Sequence, residues 1–217
     1  PDDAEYSLFS TILDILAAAD ALGWERFSLL GHSMGGAVSS LVCAAAPARV
    51  ISAHLIEALG PLSADAPSTA ERLEDAVKRR RALDVARKRV FTDLNLAVQA
   101  RMHTPVAAVD ETTARLLVTR GVRDVEGGYL WSSDARLTLP TAVRMTEEQV
   151  RSCLRAIRCP VHLVVADPPP IYFSPELRDA RIACVSQLQL TVLPGGHHLH
   201  MTHPAETVAA LGLSATP

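Results

Sequence analysis

Gly31-His32-Ser33-Met34-Gly35 sets a serine between two glycines in the pattern G-x-S-x-G, the spacing a nucleophile takes on a sharp turn from strand to helix. Such a turn strains the backbone of the serine and lifts its hydroxyl clear of the sheet. Gly31 and Gly35 are expected because neighbouring backbones approach too closely there for side chains, and Gly36 extends that tolerance into the helix start. The Met34 amide then stands at a helix N-terminus, where its partial positive charge can stabilise a developing oxyanion. A serine hydroxyl is a weak nucleophile unless a neutral imidazole takes its proton and a carboxylate holds the imidazole. Of eight histidines, His197 is the chosen base, because it follows Gly195 and Gly196 directly after a strand-like run. His32, beside the serine, is read as shaping the pocket. His54 and His162 sit inside apolar runs and are read as core residues. His198, His200 and His203 crowd the loop of His197, but no second pair at structural-zinc spacing accompanies them, so no metal site is assigned.

These residues need elements to hold them. Leu8, Ile12, Ile15, Ala19 and Leu22 recur at helical spacing up to Gly23, predicting a helix that the glycine stops. Phe27–Leu30 reads as a strand, and the alanine-rich stretch from Met34 reads as a helix ending before Pro47. Val50–Ile56 is an almost unbroken apolar run, as in a strand covered on both faces, and Leu59-Gly60-Pro61 closes it. From about Ser63 to Val150 the chain turns charged and helix-favouring. Strand texture returns at Val161–Val165 and Leu188–Val192, and a last helix opens at Pro204. Alternating strands and helices predict an α/β fold with a parallel sheet and helices on both faces. The expected division is a core over residues 1–61, an inserted helical cap over 62–150, and the rest of the core over 151–217.

Composition narrows the classes. The 217 residues are 48% hydrophobic, 21% charged and 4% aromatic, which excludes a disordered or collagen-like chain. A net charge of -3 gives no footprint for nucleic acid or an anionic membrane. No apolar run is long enough for a membrane span, since Asp14 and Asp20 break the richest early segment. Cys43, Cys153, Cys159 and Cys184 are scattered, without metal or disulfide spacing, so a reducing, cytoplasmic compartment is expected. Lys78, Arg79, Arg80, Arg81, Arg87, Lys88 and Arg89 form a basic stretch read as a solvated helix face, because Glu71, Glu74, Asp75 and Asp84 offset it. Tyr129 and Trp131 stand two apart, so on an extended segment they face one way, to wall a substrate pocket or to pack a core. Asp134 is read as a turn or cap residue, with substrate contact as the other option. Without a Gly-rich phosphate loop, no cofactor is expected.

The segment FSLLGHSMGGA from Phe27 resembles the α/β-hydrolase fold superfamily. LPGGHHLHMTHPAETVAAL from Leu193 is similar to the family's histidine segment, and GGYLWSSDARL from Gly127 looks like the end of the cap in bacterial serine hydrolase-like, esterase-type members. The resemblance places the base on the loop of His197. It puts the commonest acid in a G-x-x-D turn after the Val161–Val165 strand. Here that turn reads Ala166-Asp167-Pro168-Pro169-Pro170, so Asp167 would need it reshaped. Some relatives, certain haloalkane dehalogenases among them, carry the acid where this chain has Glu57, in LIEALGP. Glu57 is preferred and Asp167 remains the alternative; both keep the order Ser, acid, His. Dehalogenase and epoxide hydrolase chemistry is disfavoured, since those relatives place aspartate at the position of Ser33.

The resemblance also implies earlier strands and a second oxyanion donor ahead of Phe27. The core sheet is therefore expected to have four strands with Phe27–Leu30 as an apolar edge, and the chain alone to be poorly soluble or nearly inactive. The function implied is a serine hydrolase cleaving a small acyl ester, or a related thioester or C–C bond, through an acyl-enzyme on Ser33. The alternative is a non-catalytic protein of this fold that binds a small ligand.

Overall fold

The computed structural model describes residues 6–83, 89–104 and 108–213. Arg87, Lys88 and Asp84 of the basic stretch lie outside the described residues. The chain forms two compact units. One contains residues 7–69 and 143–213, and the other contains residues 70–142 with Tyr6.

The first unit opens with helix α1 (Leu8–Ala21), capped by reciprocal Ser7 and Ser10 hydrogen bonds and stopped by Gly23 at φ 70, a left-handed angle that glycine adopts without strain. Strand β1 (Phe27–His32), helix α2 (Met34–Ala45) and strand β2 (Val50–Ile56) follow. The second unit holds α3 (Thr69–Ala82) from its second residue onward, α4 (Leu94–Met102), α5 (Glu111–Gly121) and a hairpin of β3 (Val122–Val125) with β4 (Gly128–Trp131). The first unit resumes with α6 (Glu147–Arg155), β5 (Val161–Asp167), α7 (Pro175–Ile182), β6 (Leu188–Pro194), α8 (Leu199–Thr202) and α9 (Pro204–Ala210).

Its sheet is parallel throughout, in the order β1-β2-β5-β6, with β1 on one edge. Period-two alternation assigns the faces. Leu55, Leu163 and Val165 join the larger core with Val38 and Leu41 of α2 and Val150 and Leu154 of α6. Ile56, Val164 and Ala166 pack on the opposite face against Leu199 of α8 and Leu211 after α9. Helices thus cover both faces, which is why the central strands read as continuous apolar runs.

Two expectations change. The compact units divide at 70 and 142, whereas 62 and 150 were expected. Helix α6 belongs with the sheet because Val150 and Leu154 are fully buried in its core. The inserted region is also not purely helical. The β3–β4 hairpin pairs Val122 with Trp131 and Asp124 with Tyr129 around Glu126 and Gly127, where Gly127 takes φ 84. Among the described residues, no helix is long and apolar enough to cross a membrane, and all four cysteines carry free thiols.

Candidate active site

Ser33 joins β1 to α2 at φ 54 and ψ -118. Glu57 follows β2 at φ 61. These two are the only non-glycine residues with positive φ among those described. Each such residue costs on the order of 1–3 kcal/mol and persists where surrounding structure enforces it. Both stand at the C-terminal ends of adjacent parallel strands, where open α/β sheets bind their ligands. The Ser33 amide donates to the Ile56 carbonyl (2.9 Å) and the Glu57 amide to the Val164 carbonyl (2.9 Å), so ladder bonds hold both turns.

The glycines divide their work differently from the expectation. A Cβ on Gly31 would collide with the Gly35 carbonyl and lie 2.7 Å from the Gly36 nitrogen. A Cβ on Gly36 would crowd the Gly31 carbonyl (3.1 Å) and Ala58. One on Gly35 would meet nothing within 4 Å. Close packing therefore requires Gly31 and Gly36, not Gly35. Gly31→Ala is expected to lower stability by about 1–3 kcal/mol, because backbone rather than a side-chain tip must yield. Gly35→Ala is expected to hold or raise stability, by up to about 1 kcal/mol from helix propensity. Urea unfolding of the two variants checks the contrast.

The Glu57 carboxylate is fully buried. Its Oε1 accepts from the Ala166 amide (2.6 Å), and its Oε2 lies 3.4 Å from Nδ1 of His197. The hydroxyl of Tyr172 also reaches that Nδ1, at 2.8 Å. Burial, then the facing Glu57 charge, pushes the Tyr172 hydroxyl up to about 12, so it stays protonated. Both partners occupy Nδ1, which leaves Nε2 as the nitrogen to serve a nucleophile. Among the described residues, no hydrogen bond joins the Ser33 hydroxyl to His197. Their segments nevertheless meet: Nε2 of His32, next to Ser33, donates to the His197 carbonyl (2.6 Å), and the two rings stand 4.6 Å apart. Burial holds the His32 imidazole down to about 4, so it is neutral at pH 7.

Met34 begins α2, and the first amide of any helix lacks an intrahelical acceptor. Asp167, the alternative acid, is exposed at the end of β5, and no side-chain hydrogen bond joins it to His197 among the described residues. Tyr129 and Trp131 lie in the second unit, packed on Phe91, Val98 and Val118, with Trp131 edge-on to Phe91. The packing alternative is thus the one their surroundings supply. Asp134 caps a short turn by accepting from the Arg136 amide and pairs with the Arg136 guanidinium at 2.6 Å. Hydrogen bonds from Arg136 hold its carboxyl well below the usual range. His54 is a satisfied core residue bonded to the Leu211 carbonyl and Ser52, and His162 stacks on it at 5.3 Å.

Two residues of the site region carry no signal in the sequence. Tyr172 sits beyond the proline run with no motif around it. Arg181 is almost wholly buried, donating to the carbonyls of Leu59, Gly60 and Pro61 and to both oxygens of Glu147. It braces the loop that leaves Glu57. Tyr172→Phe is expected to lower kcat by about threefold to tenfold, the net worth of one neutral hydrogen bond, measured on a p-nitrophenyl ester.

A strained serine elbow at the strand ends, with a histidine loop beside it and a buried carboxylate behind the imidazole, is an arrangement that α/β-hydrolase architecture carries. The chain belongs to the alpha/beta hydrolase fold family, whose family model matches residues 1–158. It is 40% identical to a hypothetical protein of Pseudomonas aeruginosa of known crystal structure, with a TM-score of 0.88 over 98% of this chain and 74% of that one. It is similar to a serine hydrolase-like protein of Danio rerio, 26% identical over 94% of this chain and 65% of the relative. A probable serine hydrolase of Drosophila melanogaster is 28% identical over 83% of this chain and 57% of the relative. The chain thus spans under two thirds of the length of these curated relatives.

Proposed function

We propose that the protein is a serine hydrolase of the esterase type, acting on a small acyl ester or a related thioester or C–C bond. Ser33 Oγ attacks the acyl carbonyl while Nε2 of His197 accepts its proton, and the Met34 amide receives the negative charge that develops on oxygen. Glu57 accepts from Nδ1–H, fixing the tautomer that leaves Nε2 basic and stabilising the imidazolium as it forms. The imidazolium then protonates the leaving group. Water activated by the same nitrogen releases the acyl group and restores Ser33. No step calls on a cofactor. The observation that carries this reading is the buried Glu57 carboxylate 3.4 Å from His197 Nδ1, on a loop whose backbone is bonded to the residue beside Ser33.

One observation favours the ligand-binding alternative: among the described residues no direct hydrogen bond joins Ser33 to His197, although such bonds are often long before substrate arrives. A fluorophosphonate probe separates the two. Covalent labelling that vanishes in Ser33→Ala is the expected result, and a folded protein that stays unlabelled would overturn the enzymatic reading.

A further inference from the structure

His32, His198 and His200 bring one ring nitrogen each to within 4.8 Å of one another. The sequence offers only two of these on one loop, and the third arrives from the elbow when the fold closes. The ring of His32 stands 4.3 Å from that of His200 and 5.1 Å from that of His198, all three half-buried. Nδ1 of His200 is buried without a hydrogen-bond partner, and a buried nitrogen in that condition calls for an explanation. The His32 ring is oriented from behind: its Nε2–H donates to the His197 carbonyl. That leaves one lone pair on the neutral ring for a cation, and a backbone carbonyl behind a ligating imidazole is the usual support at metal sites.

We propose that His32, His198 and His200 form a binding site for one divalent transition-metal ion of the zinc type. Three neutral imidazoles suit Zn²⁺, Cu²⁺, Ni²⁺ or Co²⁺ and not Mg²⁺ or Ca²⁺, which take oxygen ligands. Nitrogens about 2.0–2.1 Å from zinc lie about 3.4 Å apart in a tetrahedron, so side-chain adjustments of about 1.5 Å bring the three together. The fourth position would fall to water. Because the ion lies beside the elbow, its charge would oppose formation of the His197 imidazolium. Binding itself does not depend on Ser33 being reactive.

The test titrates chelator-treated protein with zinc chloride, read by competition with a chromophoric chelator, on the parent, His32→Gln, His200→Gln, Ser33→Ala and His103→Gln. One ion per chain is expected for the parent, for Ser33→Ala and for the control at exposed His103. Affinity in His32→Gln and His200→Gln should fall by at least about tenfold, since even supporting partners of ligands cost that much. No saturable binding, or binding unchanged in both ligand variants, would overturn the proposal. Should those variants misfold, cobalt chloride added to the parent decides: the intense visible absorption of four- or five-coordinate Co²⁺ supports the site, and the weak spectrum of the hydrated ion sinks it.

Discussion

Glu57→Gln is expected to lower kcat by about 10⁴-fold while the fold survives, the scale of loss when a catalytic imidazole is held in the wrong tautomer. Glutamine keeps the size of the side chain but replaces one oxygen with an amino group. The carboxylate uses both oxygens: Oε1 accepts from the Ala166 amide, and Oε2 faces Nδ1 of His197. If the glutamine oxygen stays with Ala166, its NH₂ faces Nδ1 and forces the imidazole proton onto Nε2, which can then no longer take the proton of Ser33. If the amide flips, the buried Ala166 N–H faces another donor. The unmade bond then costs about 1–3 kcal/mol of stability. Asp167→Asn supplies the contrast, because that exposed side chain has no bond to the imidazole, and its kcat is expected to match the parent. Steady-state turnover of a p-nitrophenyl ester and the rate of fluorophosphonate labelling both report the outcome. Undiminished turnover in Glu57→Gln would remove Glu57 from the mechanism.

Elements whose burial and period agree were legible in the sequence. Strand β2 runs Val50–Ile56 as its apolar run predicts, because both faces are covered and no polar position interrupts it. The elbow was equally plain, since a strained serine between a strand and a glycine-rich helix start leaves a local signature. What depended on distant segments was not legible. The choice between Glu57 and Asp167 turns on where a carboxylate lies relative to a loop 140 positions away in the chain, and spacing carries no such information. Tyr172 and Arg181 have ordinary local contexts, and their partners come from other elements. The β3–β4 hairpin gives little signal because four-residue strands show little alternation, although Glu126-Gly127 marks its turn. Gly35 is the reverse case: the motif implies a packing requirement there, and the structure places that requirement on Gly36.

Arg181→Met is expected to destabilise the protein by about 3–5 kcal/mol, the cost of removing the buried partner of an ion pair together with the carbonyl bonds it makes, seen as a fall in Tm of roughly 6–20 °C for a chain of this size. The guanidinium is 2% exposed and its loss has two parts. The carbonyls of Leu59, Gly60 and Pro61 lose the donor that joins them, and the Glu147 carboxylate, 2.7 Å from the guanidinium, is left with its charge poorly compensated. Burial works to raise the Glu147 pKa, but hydrogen bonds from Arg181, Ser63 and Arg151 outweigh it and hold the carboxyl below its ordinary value of 4.5. A depressed carboxyl stabilises the fold above its unfolded pKa and loses that contribution as pH falls through the folded one. The parent should therefore weaken below about pH 4.5 by a component that Arg181→Met lacks. Adding Glu147→Gln to Arg181→Met should recover part of the loss, since a neutral amide replaces the stranded charge. Thermal unfolding of the parent, single and double variants between pH 3 and 7 measures all three effects. A loss below about 1 kcal/mol in the single variant would place Arg181 among ordinary surface ion pairs and remove it as the brace of the loop that presents Glu57.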